Sequence, residues 1–206
     1  MKKDHFLKRT KAISNAQGFT LIELVIVIIL LGLLAAAALP RLLSATDNAE
    51  IASLEGVAGG FSTGVSIAHA QWAADGYSPG AATASGSKVL INLDGKIFYM
   101  NEYGWPVNIN SSDDAAADTQ TANECKQVFD NILQSSPTST TDVNNRANSR
   151  FFVNVVKGIG GDLSGALGDV CRYELIVGND TAAPTSHYFD YDIVDGQVTV
   201  VYPNRD

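Results

Sequence analysis

The sequence predicts an α+β protein. A long N-terminal helix, membrane-crossing in its first half and amphipathic in its second, packs on a small antiparallel β-sheet head closed by one disulfide. Three observations lead there. Residues Phe19 to Leu39 are almost wholly apolar. Apolar residues then recur at alternating steps of three and four as far as Trp72. From Gly76 the texture changes to short strand-like runs punctuated by Asp-Gly turns.

The apolar run holds 21 residues. At about 1.5 Å per residue it spans roughly 31 Å, which matches a hydrocarbon core of about 30 Å. Residues 1 to 18 carry five Lys and Arg against one Asp, a net of +4, so the overall −8 leaves −12 on the remainder. Basic residues before the run keep that end cytoplasmic and send the body outward. A strongly acidic body is a poor partner for nucleic acid, and none is expected. Glu23 is the anomaly. A carboxylate inside an apolar span costs about 2.5–3.5 kcal/mol, somewhat less near the interface, and marks a functional group awaiting a partner. Neither competing reading explains it. A secretory signal peptide, for which "LAAAALPR" would serve as a cleavage site, has a shorter core and needs no glutamate. A plain anchor gains nothing from one.

Pro40 tends to kink a helix, yet helical periodicity continues beyond it. Ile51, Leu54, Ala58, Phe61, Val65, Ala68 and Trp72 form one stripe, with Asp47, Glu50, Ser53 and Ser62 opposite. A helix from Phe19 to about Ala74 would be roughly 84 Å long, stopping at Asp75-Gly76. Its second half contains Gly56, Gly59, Gly60 and Gly64, each costing about 0.8–1 kcal/mol relative to alanine. Ala52, Gly56, Gly60, Gly64 and Ala68 step by four as a smooth ridge, which predicts close packing against the head's sheet or a neighbouring subunit's helix. His69, alone in this helix, reads as a packing or surface residue.

In the head, residues 76–206, "GYSPGAATASGS" reads as a loop. "KVLINLDGKIFYMN" reads as a hairpin about Asp94-Gly95. "TANECKQVFDNILQ" is a short helix with Cys125, Val128, Phe129, Ile132 and Leu133 on its inner face. "SSPTSTTDVNNRANS" is polar and low in complexity, which predicts an exposed loop. "FFVNVVK" and "CRYELIVG" are strands. A second hairpin turns about Asp195-Gly196, with Phe189, Tyr191 and Ile193 on one side and Tyr188, Asp190, Asp192 and Val194 on the other. A sheet of four to six strands is expected. Cys125 and Cys171 are the only cysteines. Their spacing fits no zinc pattern. Outside the cytoplasm their default is one disulfide, worth roughly 4 kcal/mol in the chain-entropy model, the other reading being two unpaired buried thiols. "GIGGDLSGALGD" lacks a P-loop lysine and the GxGxxG context. No nucleophilic pair or paired-carboxylate setting is present, so no enzyme activity and no cofactor are expected. The sequons at Asn110 and Asn179 carry no weight.

"GFTLIELVIVIILLG" resembles the N-terminus of type IV prepilins and of the related secretion pseudopilins. The pattern is a basic leader ending in Gly18, then Phe19, then an apolar helix with Glu23, interrupted at Gly32 and Pro40. The resemblance covers residues 14 to 43. It implies a leader, 1–18, cut by a membrane prepilin peptidase between Gly18 and Phe19, with N-methylation of Phe19. The helix, 19–75, then divides at Pro40 into a membrane anchor that becomes the filament core, 19–39, and a head-packing half, 40–75. Glu23 would pair with the new N-terminal amine of a neighbouring subunit, a pair worth more in low dielectric than in water. Glu23, Gly32 and Pro40 are thus assembly residues.

"PRLLSATDNAEIASLEGVAGGFSTGVSIAHAQW" is similar to the mannose-sensitive haemagglutinin (MSHA) class of type IV pilins, its B-type minor pilin most of all. The implied function is a structural pilus subunit for surface adhesion and biofilm formation. Its partners would be the prepilin peptidase, other pilins, the inner-membrane assembly machinery and membrane lipid. It would sit in the inner membrane as a single-pass protein before assembly and outside the cell as a fimbrium afterwards. A pseudopilin of a type II secretion system is the alternative. A membrane-tethered sugar-binding or enzymatic head is a third reading, with no constellation behind it. Since pseudopilins often bind calcium, Asp190, Asp192 and Asp195 could contribute to such a site, although their spacing is not an EF-hand loop. In the pilin family the disulfide bounds a variable region, a role that Cys125 and Cys171 match.

Overall fold

The computed structural model describes residues 18–79, 89–110, 116–163, 167–177 and 187–203, apart from the side chain of Leu43. Helix α1 runs Leu21–Ala74 and passes through Pro40. The chain divides into two compact units, Met1–Asp47 and Asn48–Asp206, so the second half of α1 folds with the head. In the first unit the apolar side chains of α1 are exposed, and by length and composition this helix suffices to cross a membrane.

In the second unit the three-four stripe becomes the core. Leu54, Ala58, Phe61, Val65, Ala68 and Trp72 are buried, and Ile51 is half-buried. The helix stops where the sequence predicts. Gly76 takes φ +89°, its N–H donates to Ala73 O, and the Tyr77 N–H donates to Trp72 O. These two bonds make a Schellman motif, which needs a residue without Cβ strain at that position.

Strands β1 (Val89–Leu93), β2 (Lys96–Met100) and β3 (Pro106–Asn108) make a three-stranded antiparallel sheet. Asp94 and Gly95 both have positive φ, 51° and 83°, as a type I′ turn requires. Helix α2, Ala122–Ile132, follows. Strands β4 (Ser139–Thr140), β5 (Phe151–Val156), β6 (Val170–Leu175), β7 (Tyr188–Asp192) and β8 (Val198–Val201) form a second sheet in that order. It is antiparallel except where β4 pairs parallel with β5. The head thus holds eight described strands in two sheets, where the sequence predicts a single sheet of four to six. The chain passes from the first sheet to the second through α2, between β3 and β4. The buried Asn101 accepts the N–H groups of Tyr103 and Trp105 and donates to Ile193 O.

Register puts Val153, Tyr173 and Phe189 across one face of the second sheet. Phe61 of α1 meets Phe129, Tyr173, Phe189 and Tyr191 at ring-centroid distances of 5.2–6.1 Å. Both helices therefore cover that face. Cys125 of α2 and Cys171 of β6 form a disulfide, Cα–Cα 5.5 Å, that ties α2 to the sheet. Tyr173 Oη donates to Cys125 O at 3.0 Å beside it.

Two segments differ from the sequence reading. "SSPTSTTDVNNRANS" is ordered rather than an open loop. It contains β4 and a 3-10 helix over Val143–Asn148, whose start is capped by the Asp142 carboxylate accepting from the Asn144 N–H. Its Arg146 is buried against Glu174. Val194, expected on the outer side with the aspartates, is also buried, at 8% exposure. Gly161 and Gly168 lie against it. A Cβ on Gly161 would fall 2.9 Å from Val194 Cβ, so these glycines serve close packing.

Candidate functional site

The residues the sequence nominates for processing and assembly stand at the head of α1. Gly18, Phe19 and Thr20 precede its first turn, and Phe19 is 91% exposed. Thr20 is the N-cap residue and Glu23 stands three positions on. The Thr20 backbone N–H donates to Glu23 Oε2 at 2.9 Å, and its hydroxyl donates to the same oxygen at 2.7 Å. The Glu23 N–H donates back to Thr20 Oγ1 at 3.3 Å. This is a capping box, the reciprocal satisfaction of two donors that a helix start leaves open. Within this chain Glu23 is therefore a helix-capping carboxylate. A glutamate near the N-terminus also suits the helix dipole.

Sequence reasoning centred on Glu23 alone missed Thr20. The signal was present: T-x-x-E before an apolar run is the capping-box pattern. It recurs in α2, where Thr121 and Glu124 make the same three bonds at 2.7, 2.7 and 3.3 Å. Gly32 and Pro40 lie inside α1. A Cβ on Gly32 would meet nothing within 4 Å, so no described residue requires glycine there.

The small ridge of α1 is divided. A Cβ on Gly64 would come within 2.8 Å of Ile132 Cγ1 and 3.0 Å of Ile132 O, and one on Gly60 would lie 3.4 Å from Leu133 Cδ2. The close approach expected of the ridge occurs against the C-terminal end of α2, rather than against the sheet. Cβ atoms on Gly56 and Gly59 would meet nothing within 4 Å.

The remaining candidates serve packing and turns. His69 Nδ1 lies 2.7 Å from Gly104 O, and its ring stacks on Trp105 at 4.0 Å and faces Trp72 at 5.3 Å. Asp190 makes a two-point ion pair with Arg172, both contacts at 2.8 Å. Asp192 Oδ1 accepts from the Val194 N–H, and Asp195 Oδ1 from the Gln197 N–H, each at 2.9 Å. These three aspartates do not converge, and among the described residues no three His, Cys, Asp or Glu side chains gather as a metal site. Asn110 is exposed just beyond β3. His5 and Asn179 lie outside the described residues, as do most of the leader and most of the "GYSPGAATASGS" loop.

Residues 13–39 match the family model described as the prokaryotic N-terminal methylation motif. The chain is 45% identical over 57 residues to the type IV narrow pilus major component PilA5 of Thermus thermophilus, covering 28% of this chain and 49% of that protein. It is 40% identical over 72 residues to a fimbrial protein of Neisseria meningitidis, covering 34% of this chain and 42% of that one. The chain thus spans less than half the length of these curated relatives. No solved structure matches it.

Proposed function

We propose that this chain, type IV pilin-like over its N-terminal segment, is a structural subunit of a type IV pilus. The observation that carries the reading is the methylation motif over residues 13–39, whose described apolar part is an exposed helix that begins just after Phe19 and carries Glu23 in its first turn. A prepilin peptidase removes residues 1–18 by cutting between Gly18 and Phe19, and Phe19 is N-methylated. Residues 19–39 hold the subunit in the inner membrane with its head outside, then join the filament core alongside other pilins through the assembly machinery. Glu23 pairs there with the N-terminal amine of a neighbour. Gly32 and Pro40 shape the segment as it packs. A pair formed in low dielectric favours subunits docked in register, because a member left unpaired is costly.

The finer reading is an MSHA-like minor pilin that serves surface adhesion and biofilm formation. It rests on the small-residue pattern of "EGVAGGF" and "AQW". The disulfide between Cys125 and Cys171 supports a pilin over a type II secretion pseudopilin. Deletion of the gene tests the function. Piliation and surface attachment should fall while protein secretion continues. Intact pili with a secretion defect would transfer the chain to the secretion system.

A further inference from the structure

Strand alternation sends Phe189 and Tyr191 of β7 into the core, so Asp190 and Asp192 stand on the opposite face of the second sheet from α1 and α2. Register sets Val170 beside Asp192 and Thr199 beside Asp190. A cavity of about 240 Å³ opens there, lined by Ile159, Val170, Asp190, Asp192, Gln197 and Thr199. Its two carboxylates differ. Asp190 is neutralised by Arg172 through two contacts of 2.8 Å. Asp192 is half-buried, and no Lys or Arg among the described residues pairs with it. Its partners are backbone N–H groups, that of Val194 among them, and burial holds its carboxyl above the ordinary aspartate range. The side chains of Gln197 and Thr199 make no hydrogen bond with any described residue.

Apolar walls, a few convergent polar groups and a carboxyl with a shifted pKa are what binding cavities commonly combine. We propose that this cavity binds a primary alkylammonium group, with Asp192 as its counter-ion, the Gln197 amide oxygen and the Thr199 hydroxyl as further acceptors, and Ile159 and Val170 against its methylene stem. An ammonium offers three donors and no acceptor, which one carboxylate, one amide oxygen and one hydroxyl can take up. Its stem is apolar where its head is charged, which suits isoleucine and valine walls beside a carboxylate. Calcium or magnesium suits the cavity less. Such an ion takes about six or more oxygen ligands, and Arg172 already engages Asp190. The same chemistry is presented by a lysine side chain on another protein and by a free alkylamine. The cavity lies in the head and does not depend on the filament reading above.

The test titrates the full-length chain, held in neutral detergent at neutral pH, with butylammonium chloride and follows its melting temperature. Sodium chloride at the same concentration controls for ionic strength. Butylammonium should raise the melting temperature beyond the sodium control, because a ligand bound only by the folded state stabilises it. Asp192→Asn removes the counter-ion and should weaken binding by about tenfold or more. Asp75→Asn removes an exposed acidic charge just past the end of α1 and should leave the affinity within about twofold of wild type. Equal weakening by the two variants would overturn the proposal, by reducing the effect to general attraction for an acidic body. Unchanged binding by Asp192→Asn would also overturn it. So would calcium chloride that displaces butylammonium more effectively than sodium and itself depends on Asp192, which would make the cavity a metal site. Two peptides separate the sources, acetyl-Gly-Lys-Gly-amide and its Nε-acetyllysine counterpart. Competition with butylammonium by the first alone assigns the cavity to a lysine side chain, and competition by neither assigns it to free alkylamines.

Discussion

Arg146 is 1% exposed, and its charge is satisfied by one neighbour, Glu174, through two contacts of 3.2 Å to Oε2. The guanidinium lies 4.3 Å from the centroid of Phe152, and its Nε has no partner. Removing one member of such a pair strands the other in low dielectric. Arg146→Ala should therefore cost about 3–5 kcal/mol in urea unfolding, whereas Arg146→Met with Glu174→Leu should cost far less. A single-variant loss under about 1 kcal/mol would contradict this. Asp192 makes the opposite kind of prediction. Burial holds its carboxyl above the ordinary aspartate range; the Val194 N–H opposes that shift and the Asp195 charge adds to it. The charged form is thus the disfavoured one in the fold. The stability linked to the bound proton is present below the ordinary aspartate pKa and is lost as pH rises through the raised one. Asp192→Asn, which keeps an accepting oxygen, should raise the melting temperature at neutral pH, with the gain shrinking on acidification. A gain that grew on acidification would contradict the assignment.

The elements of the second unit owe their positions to patterns of differing legibility. The stripe from Leu54 to Trp72 follows from a 3.6-residue period. The Asp94-Gly95 hairpin follows from the positive φ that a type I′ turn demands, and the stop at Gly76 from the same freedom. The order of residues 135–149 does not follow from composition, because it depends on backbone contacts made by polar side chains and on one buried arginine whose partner is 28 residues away. The division into two sheets was hidden likewise, since it depends on which strands pair across the chain and not on any one strand-like run. Thr20 was legible as T-x-x-E, but the charge anomaly at Glu23 pointed to a distant partner and left the one three residues away unread. The glycine ridge was legible as a ridge; which part of it packs was not. The structure makes that measurable. Gly64→Ala forces methyl carbon against Ile132 and should destabilise by about 1–3 kcal/mol. Gly59→Ala meets open space and should stabilise the same helix by up to about 1 kcal/mol. Thermal melts of the two variants in detergent should move in opposite directions, and a shared direction would refute the assignment of the close approach to Gly64.

At the scale of the molecule, the two units separate two tasks. The first keeps its apolar side chains exposed along α1, and the second buries its own stripe under two sheets and a disulfide. A chain that leaves a run of this length uncovered needs lipid or other subunits to cover it. The proposed processing at Gly18–Phe19 supplies a route from the first environment to the second, since it releases an amine beside a carboxylate already fixed by Thr20. Intact-mass and N-terminal peptide analysis of the protein recovered from sheared filaments tests this most directly. A chain beginning at N-methylated Phe19, with residues 19–39 retained, is the predicted result. A chain beginning after Ala38, without the apolar segment, would contradict the account.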